Sequence, residues 1–355
     1  MTAADLLQRL VAIPSVSGQE GPLADFVQSL LEGWGATVQR QGHNLWAEAG
    51  QGAPRLLLNS HLDTVPPCAG WTEDPHAPIW RDGRLVGLGA NDAKGCVAAL
   101  LMAFQELLHA PSIEGGVVLA LTGEEETGGQ GIATILDQLG HIDAAIVGEP
   151  TGLQVCAAQR GMLLLKVTAR GEGAHVAHAH LGDNAIHKAA KDILKLAQLR
   201  FEPHPLLGET KAQVTQVEGG RARNQVPDAC TLFVDLRTTP NLNHADLAQS
   251  FAAELEGDVH VHSSRYLPKA TDPGHPIVRA ALQVSHVKSP VGSATTSDWA
   301  FLGALPAVKV GPGDTHRSHR PDEWISHAEL EAGVAFYQAV IPAYLVLASQ
   351  TVTHG

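Results

Sequence analysis

The chain has 355 residues, 44% apolar and 17% charged, without a low-complexity tract; this is the composition of a soluble globular protein, and its length implies two domains. A formal net charge of −13 leaves no basic stripe to neutralise phosphates, which excludes a nucleic-acid partner. With no apolar run of about 18 residues, no membrane span is expected. Four scattered cysteines without a CxxC pair (Cys68, Cys96, Cys156, Cys230) indicate reduced thiols and a cytoplasmic protein.

In chain order, MTAADLLQRLVAIPS places Leu6, Leu7, Leu10 and Val11 on one face of a helix that Pro14 stops, which is an amphipathic helix and not a signal peptide. Helices are predicted over 3–12 and 20–34, then a strand over 55–63 (RLLLNSHLD). A helix over 93–109 follows, in which Val97, Leu100, Leu101, Phe104, Leu107 and Leu108 keep the spacing of one buried face. A strand over 116–123, a short helix over 130–139 and a strand over 144–150 come next. Continuous apolar runs alternating with helices predict an α/β domain: a mostly parallel sheet with helices on both faces.

The middle of the chain changes pattern. Strand 162–170, helix 183–198, strands 211–220 and 229–239, helix 243–255 and strand 258–266 form a β-α-β-β-α-β order, the split βαβ or ferredoxin-like α+β unit. After it AFLGALPAVKVGPG returns to the α/β pattern, and a helix over 327–347 closes the chain. The expected division is a first domain built from 1–157 and 267–355, with 158–266 inserted and hinges near 155–160 and 265–272.

Polar residues gather at one kind of place. His61 and Asp63 end one strand, the glutamates of LTGEEETGG end another and Glu149 a third, while Asp92 opens the 93–109 helix. In open α/β sheets the carboxyl ends of strands line the ligand crevice, so distant segments deliver imidazole and carboxylate to one rim. No GxGxxG, Walker A or GxSxG pattern competes for that rim.

The motifs HLDTVP, GLGANDAKG, TGEEETGG, VGEPT and GPGD…SHRPDEW, in that order, resemble those of the M20 di-zinc aminoacylase/carboxypeptidase family over nearly the whole chain. The resemblance implies a zinc-peptidase-like catalytic domain and an inserted lid that also dimerises. It makes Asp92 the carboxylate bridging two divalent ions, zinc with cobalt or manganese tolerated. One ion would take His61 and Glu149, and the other Glu126 and His319. Within T-x-(D/E)-E-E-x-G, Glu125 becomes the general base, and Glu124 supports the loop. Asp63, facing the same way as His61 two residues earlier, holds the imidazole or the base. His175 in the lid would reach the partner subunit's site and stabilise the oxyanion, leaving His178, His180 and His316 without a metal.

Asn224 and Arg237 match lid positions that bind the substrate's carboxylate end, Arg160 is a further candidate, and an internal salt bridge is the competing role for Arg237. The implied substrate is a small N-acyl amino acid. N-acetylornithine, and with it arginine biosynthesis, comes first among family activities. Acetylcitrulline, acetyl-lysine, carrier-linked lysine and succinyl-diaminopimelate remain alternatives. A non-catalytic binding module should lack one of His61, Asp92, Glu125, Glu126, Glu149 or His319, and all six are present.

Overall fold

The computed structural model describes residues 1–110 and 113–352, and the chain folds as two compact units. The first comprises Met1–Ala157, Ala270–Val291 and Ser297–Gly355; the second comprises Ala158–Lys269 and Gly292–Thr296. The second unit thus runs past residue 266 and takes in a later segment, because Gly292 packs on the main chain of Leu206.

The first unit is built on a mixed sheet. Arg55–His61 runs parallel to Glu114–Thr122 on one side and to Ala144–Val147 on the other, and Ala144–Val147 is parallel to Ala307–Lys309. The strand that ends at His61 begins at Asn44, well before the apolar run that predicts it. From Leu45↔Leu121 to Gly50↔Gly116 its first arm runs against Glu114–Thr122. Gly50 and Gly52 adopt positive φ at the reversal, and a Cβ on Gly50 would lie 2.4 Å from the Gly115 carbonyl oxygen, so the close approach requires glycine.

Both faces of the sheet are covered, and the parallel strands are correspondingly apolar throughout. Leu57, Val118, Ala145 and Val147 pack with Ile132 and Ile135 of the helix Gln130–Ile135 and with Trp299. Elsewhere the helix Lys94–His109 packs against Ala3–Ala12 and against the final helix, His327–Val352. A helix outside the sequence expectations, Pro276–Ser285, also lies on the final helix; its proline occupies the first turn, where a missing N–H costs nothing.

By length and composition the final helix is apolar enough to cross a membrane, although no uninterrupted apolar run marks it in the sequence. Its acidic residues, Glu329 and Glu331, fall in the first turns and leave the rest uncharged. In the fold it is a core helix, with Leu330, Tyr337, Val340, Ile341 and Tyr344 buried.

The second unit is a four-stranded antiparallel sheet in the order Asp258–Tyr266, Gly161–Arg170, Ala229–Thr238, Ala212–Gly219. Helices Ala185–Gln198 and His244–Glu254 connect its strands. Alternate residues Leu163, Leu165, Val167, Leu232, Val234 and Leu236 meet Ala189, Leu196, Leu247 and Phe251 of the two helices in one core, the period-2 pattern of a half-buried sheet.

Candidate metal centre

The parallel register explains why separated segments meet. His61 lies opposite Thr122, and Asn59 opposite Val147, so three strands end at the same level and their next residues share one rim of the first unit. Asp92 reaches this rim on a loop whose backbone is held from below. The buried Glu323 carboxylate accepts the N–H groups of Gly89 (3.1 Å), Asn91 (2.8 Å) and Asp92 (2.8 Å).

Two donor groups share Asp92. Its Oδ1 lies 3.2 Å from His61 Nε2, which is also 4.0 Å from Glu149 Oε1. Its Oδ2 lies 3.9 Å from His319 Nε2, which is 2.9 Å from Glu126 Oε1. In each of the sets His61–Asp92–Glu149 and Asp92–Glu126–His319, one donor atom per residue lies within 4.8 Å of the others. Two imidazoles and three carboxylates, divided by a common carboxylate, fit a pair of divalent cations chemically. His61 Nδ1 donates to the Asp63 carbonyl oxygen at 3.0 Å, so it is Nε2, facing Asp92, that would give up its proton and offer an electron pair to a cation.

The three glutamates do not continue their strand, which ends at Thr122. Glu124 takes the left-handed conformation (φ 60°, ψ 20°) and Glu125–Thr127 forms a single 3₁₀ turn, so alternation no longer governs which way Glu125 and Glu126 point. Asp63 holds that turn directly. Its Oδ1 accepts from the Glu125 N–H (3.1 Å), and its Oδ2 accepts from the Glu126 N–H (3.0 Å) and from Ser17 Oγ (2.7 Å). His61, Glu125 and Glu126 also form a third donor set within 4.8 Å.

Crowded carboxylates shape the electrostatics. Burial, reinforced by Glu149, Asp298 and Glu126, raises the Glu125 carboxyl well above the usual carboxylate range against the opposing pull of His61. Burial also pushes Glu149 up to about 8, with Lys309 opposing it and Asp92 adding to it. At His319 the hydrogen bond to Glu126 raises the imidazole to about 9. Burial works against protonation of His61, but hydrogen bonds to Asp63 and Asp92 prevail and hold it well above the ordinary imidazole value.

Several of these supports lie outside the sequence expectations. Glu323 stands inside SHRPDEW, so the motif itself carries its signal. Asp298 is 2% exposed, accepts from Thr122 Oγ1 at 2.7 Å and is raised to about 6 by burial; as a single acid in SDWAF it forms no pattern. Ser17 belongs to an N-terminal loop without a recognisable motif, as does Glu20, whose Oε1 accepts the Glu124 N–H at 3.0 Å.

The remaining candidates lie in the second unit. His175 is exposed and pairs in an isolated bridge with Gln225, while the Val176 N–H donates to the Asn224 carbonyl oxygen at 3.0 Å, so His175 and Asn224 are neighbours. Arg237 makes a two-pronged ion pair with Asp235, at 3.0 and 3.2 Å, which is the competing role as an internal salt bridge. Arg160 donates to the carbonyl oxygens of Arg237 (2.8 Å) and Leu207. Among the described residues, His316 lies outside the three donor sets, as do His178 and His180.

An α/β sheet with carboxylates and imidazoles converging at its carboxyl rim, plus an α+β insertion, defines a metal-dependent hydrolase. Residues 57–343 match the model of peptidase family M20/M25/M40, and the chain belongs to that family as an amide-bond hydrolase. It is 32% identical over 376 aligned residues to a succinyl-diaminopimelate desuccinylase of Xanthomonas campestris pv. campestris (strain 8004), covering 96% of this chain and 97% of that one. A protein of the same name from Stenotrophomonas maltophilia (strain R551-3) is 31% identical, with 96% and 99% coverage. Among solved structures, a tripeptidase from Staphylococcus aureus superposes with a TM-score of 0.80 at 22% identity, over 98% of each chain. Aminopeptidase PepT from Bacillus cereus ATCC 10987 superposes at 0.79 with 23% identity, over 96% of this chain and 98% of that one.

Proposed function

We propose that this chain hydrolyses the amide of a small N-acyl amino acid, using two divalent ions, zinc first among them. His61, Asp92 and Glu149 would hold one ion, and Asp92, Glu126 and His319 the other. The observation that carries this is the shared Asp92 carboxylate, with one oxygen toward each imidazole. Bound there, the ions acidify water and polarise the acyl oxygen. Glu125 would take the proton from the attacking water and return it to the departing amine. Asp63 orients both His61 and the backbone that presents Glu125. His175, supplied by a second copy through this unit, would complete the oxyanion site, with Asn224 at the substrate's carboxylate. Arg237 would serve there only by exchanging its bond to Asp235 for the substrate.

Metal loading is coupled to protons on this reading. At pH 7 the metal-free site holds protons on Glu149 (about 8), on His319 (about 9) and on His61, which is held well above the ordinary imidazole value, and these must leave for a cation to bind. Zinc binding at pH 7 should therefore release more than one proton, and affinity should climb as pH rises toward 9. Calorimetry in buffers of different ionisation enthalpy measures this; pH-independent binding without proton release would contradict the ligand assignment.

For the substrate, succinyl-diaminopimelate moves ahead of acetylornithine. Relatives at 31–32% identity over nearly the full chain bear the desuccinylase name. A succinyl group adds a carboxylate that acetyl lacks. The test is kcat/KM of zinc-loaded protein on N-succinyl-diaminopimelate and N-acetylornithine. The succinylated substrate should lead by at least about 10²-fold. A lead for acetylornithine would reverse the substrate order and keep the chemistry, whereas silence on both would overturn both substrates and leave acetylcitrulline, acetyl-lysine or carrier-linked lysine to be tried.

A further inference from the structure

Four consecutive N–H groups of the turn carrying Glu125 each donate to a side-chain oxygen from a distant segment. Gly123 donates to Asn44 Oδ1 (2.9 Å), Glu124 to Glu20 Oε1 (3.0 Å), and Glu125 and Glu126 to Asp63 (3.1 and 3.0 Å). Nothing in the repeat of a strand or helix supplies these bonds, so the turn has its shape only because those three side chains are in place. Glu124 is the corner residue. A non-glycine residue in the left-handed region is held there by its surroundings, and the hydrogen bond from its N–H goes to Glu20.

Glu20 is built for that contact. It is fully buried, and its Oε1 also accepts the Gly18 N–H at 2.9 Å, which ties the corner to the loop after Pro14. Its Oε2 has no hydrogen-bond partner and lies 3.9 Å from His43 Nε2. A buried carboxylate with one unsatisfied oxygen is costly, so simple packing does not account for it. Gly123 leaves the room it needs: a Cβ there would lie 2.9 Å from Glu20 Oε1.

We propose that Glu20 is a positioning residue for catalysis, which fixes the Glu124 corner and thereby aims the Glu125 carboxylate; this rests on the reading of Glu125 as the general base. Glu20 touches no reacting atom. Its effect therefore falls on turnover and not on substrate affinity, and displacing a catalytic group by about 1 Å costs on the order of 10²-fold. A glutamine retains the acceptor oxygen, whereas an aspartate retains the charge but is one methylene too short to reach the Glu124 N–H.

The experiment compares zinc-loaded wild type with Glu20→Ala, Glu20→Asp and Glu20→Gln, with kcat, KM and metal content measured well below each Tm. Glu20→Ala and Glu20→Asp should lose roughly 10- to 100-fold in kcat, with KM within about twofold and two metals per chain. Glu20→Gln should recover most of that loss. Should Glu20→Ala not fold, the aspartate and glutamine pair decides. Unchanged kcat in Glu20→Asp would overturn the proposal, as would a loss in Glu20→Gln equal to that in Glu20→Asp. Glu125→Ala, measured in parallel, separates the two readings: full turnover there refutes the base, whereas its inactivity beside an unaffected Glu20→Asp refutes only the positioning role.

Discussion

Glu125→Ala should bind both metals and lose about 10²–10⁴-fold in kcat, the range spanned by removal of a general base. The neighbouring substitution should behave differently although it removes the same functional group. Glu126 Oε1 is 2.9 Å from His319 Nε2 and belongs to the donor set around Asp92 Oδ2, so Glu126→Ala should lose the ion on that side. The backbone explains how adjacent residues divide these roles. After the left-handed Glu124 the chain turns in a 3₁₀ conformation, and the Asp63 carboxylate clamps both amides, so two successive side chains reach the same site without strand alternation. Kinetics with metal analysis on the two variants checks the division. Equal metal loss in both would dissolve it, and near-normal turnover in Glu125→Ala would remove the base.

The second large effect is expected at Asp92. Residues that merely support a ligand cost about 10–100-fold in metal affinity when removed. Asp92 stands in two donor sets at once, so Asp92→Ala should exceed that loss at both positions and abolish turnover. The fold should survive, because the loop is carried by Glu323, whose carboxylate still receives the N–H groups of residues 89, 91 and 92. Loss of one ion with retention of the other would show that Asp92 is not shared.

What is legible in the sequence follows the range of the underlying forces. Periodicity is local, so Ala3–Ala12, Lys94–His109 and the β-α-β-β-α-β order of the insertion appear close to where the apolar pattern puts them. The arm from Asn44 to Gln51 is hidden because it is mixed in polarity and holds its place by pairing with a distant strand. The final helix escapes a search for uninterrupted apolar runs because Gln338 breaks the run, and its apolar character shows only in the mean composition along its length, which here serves the core. At the site, residues whose own side chains form the donor sets carry recognisable motifs. Glu20 and Asn44, which act by accepting backbone N–H groups, do not, because they are defined by what folds against them and not by their neighbours in sequence. Glu323 acts in the same way and is marked only by the motif that surrounds it. Arg237 shows the opposite case: its motif position suggests a substrate contact, and the structure engages it with Asp235.

The most direct test of a centre assembled around one shared carboxylate is anomalous diffraction at the zinc edge from zinc-loaded crystals. Two peaks are expected on either side of the Asp92 carboxylate, one bordered by His61 and Glu149 and the other by Glu126 and His319. A single peak, or peaks that do not touch Asp92, would contradict it.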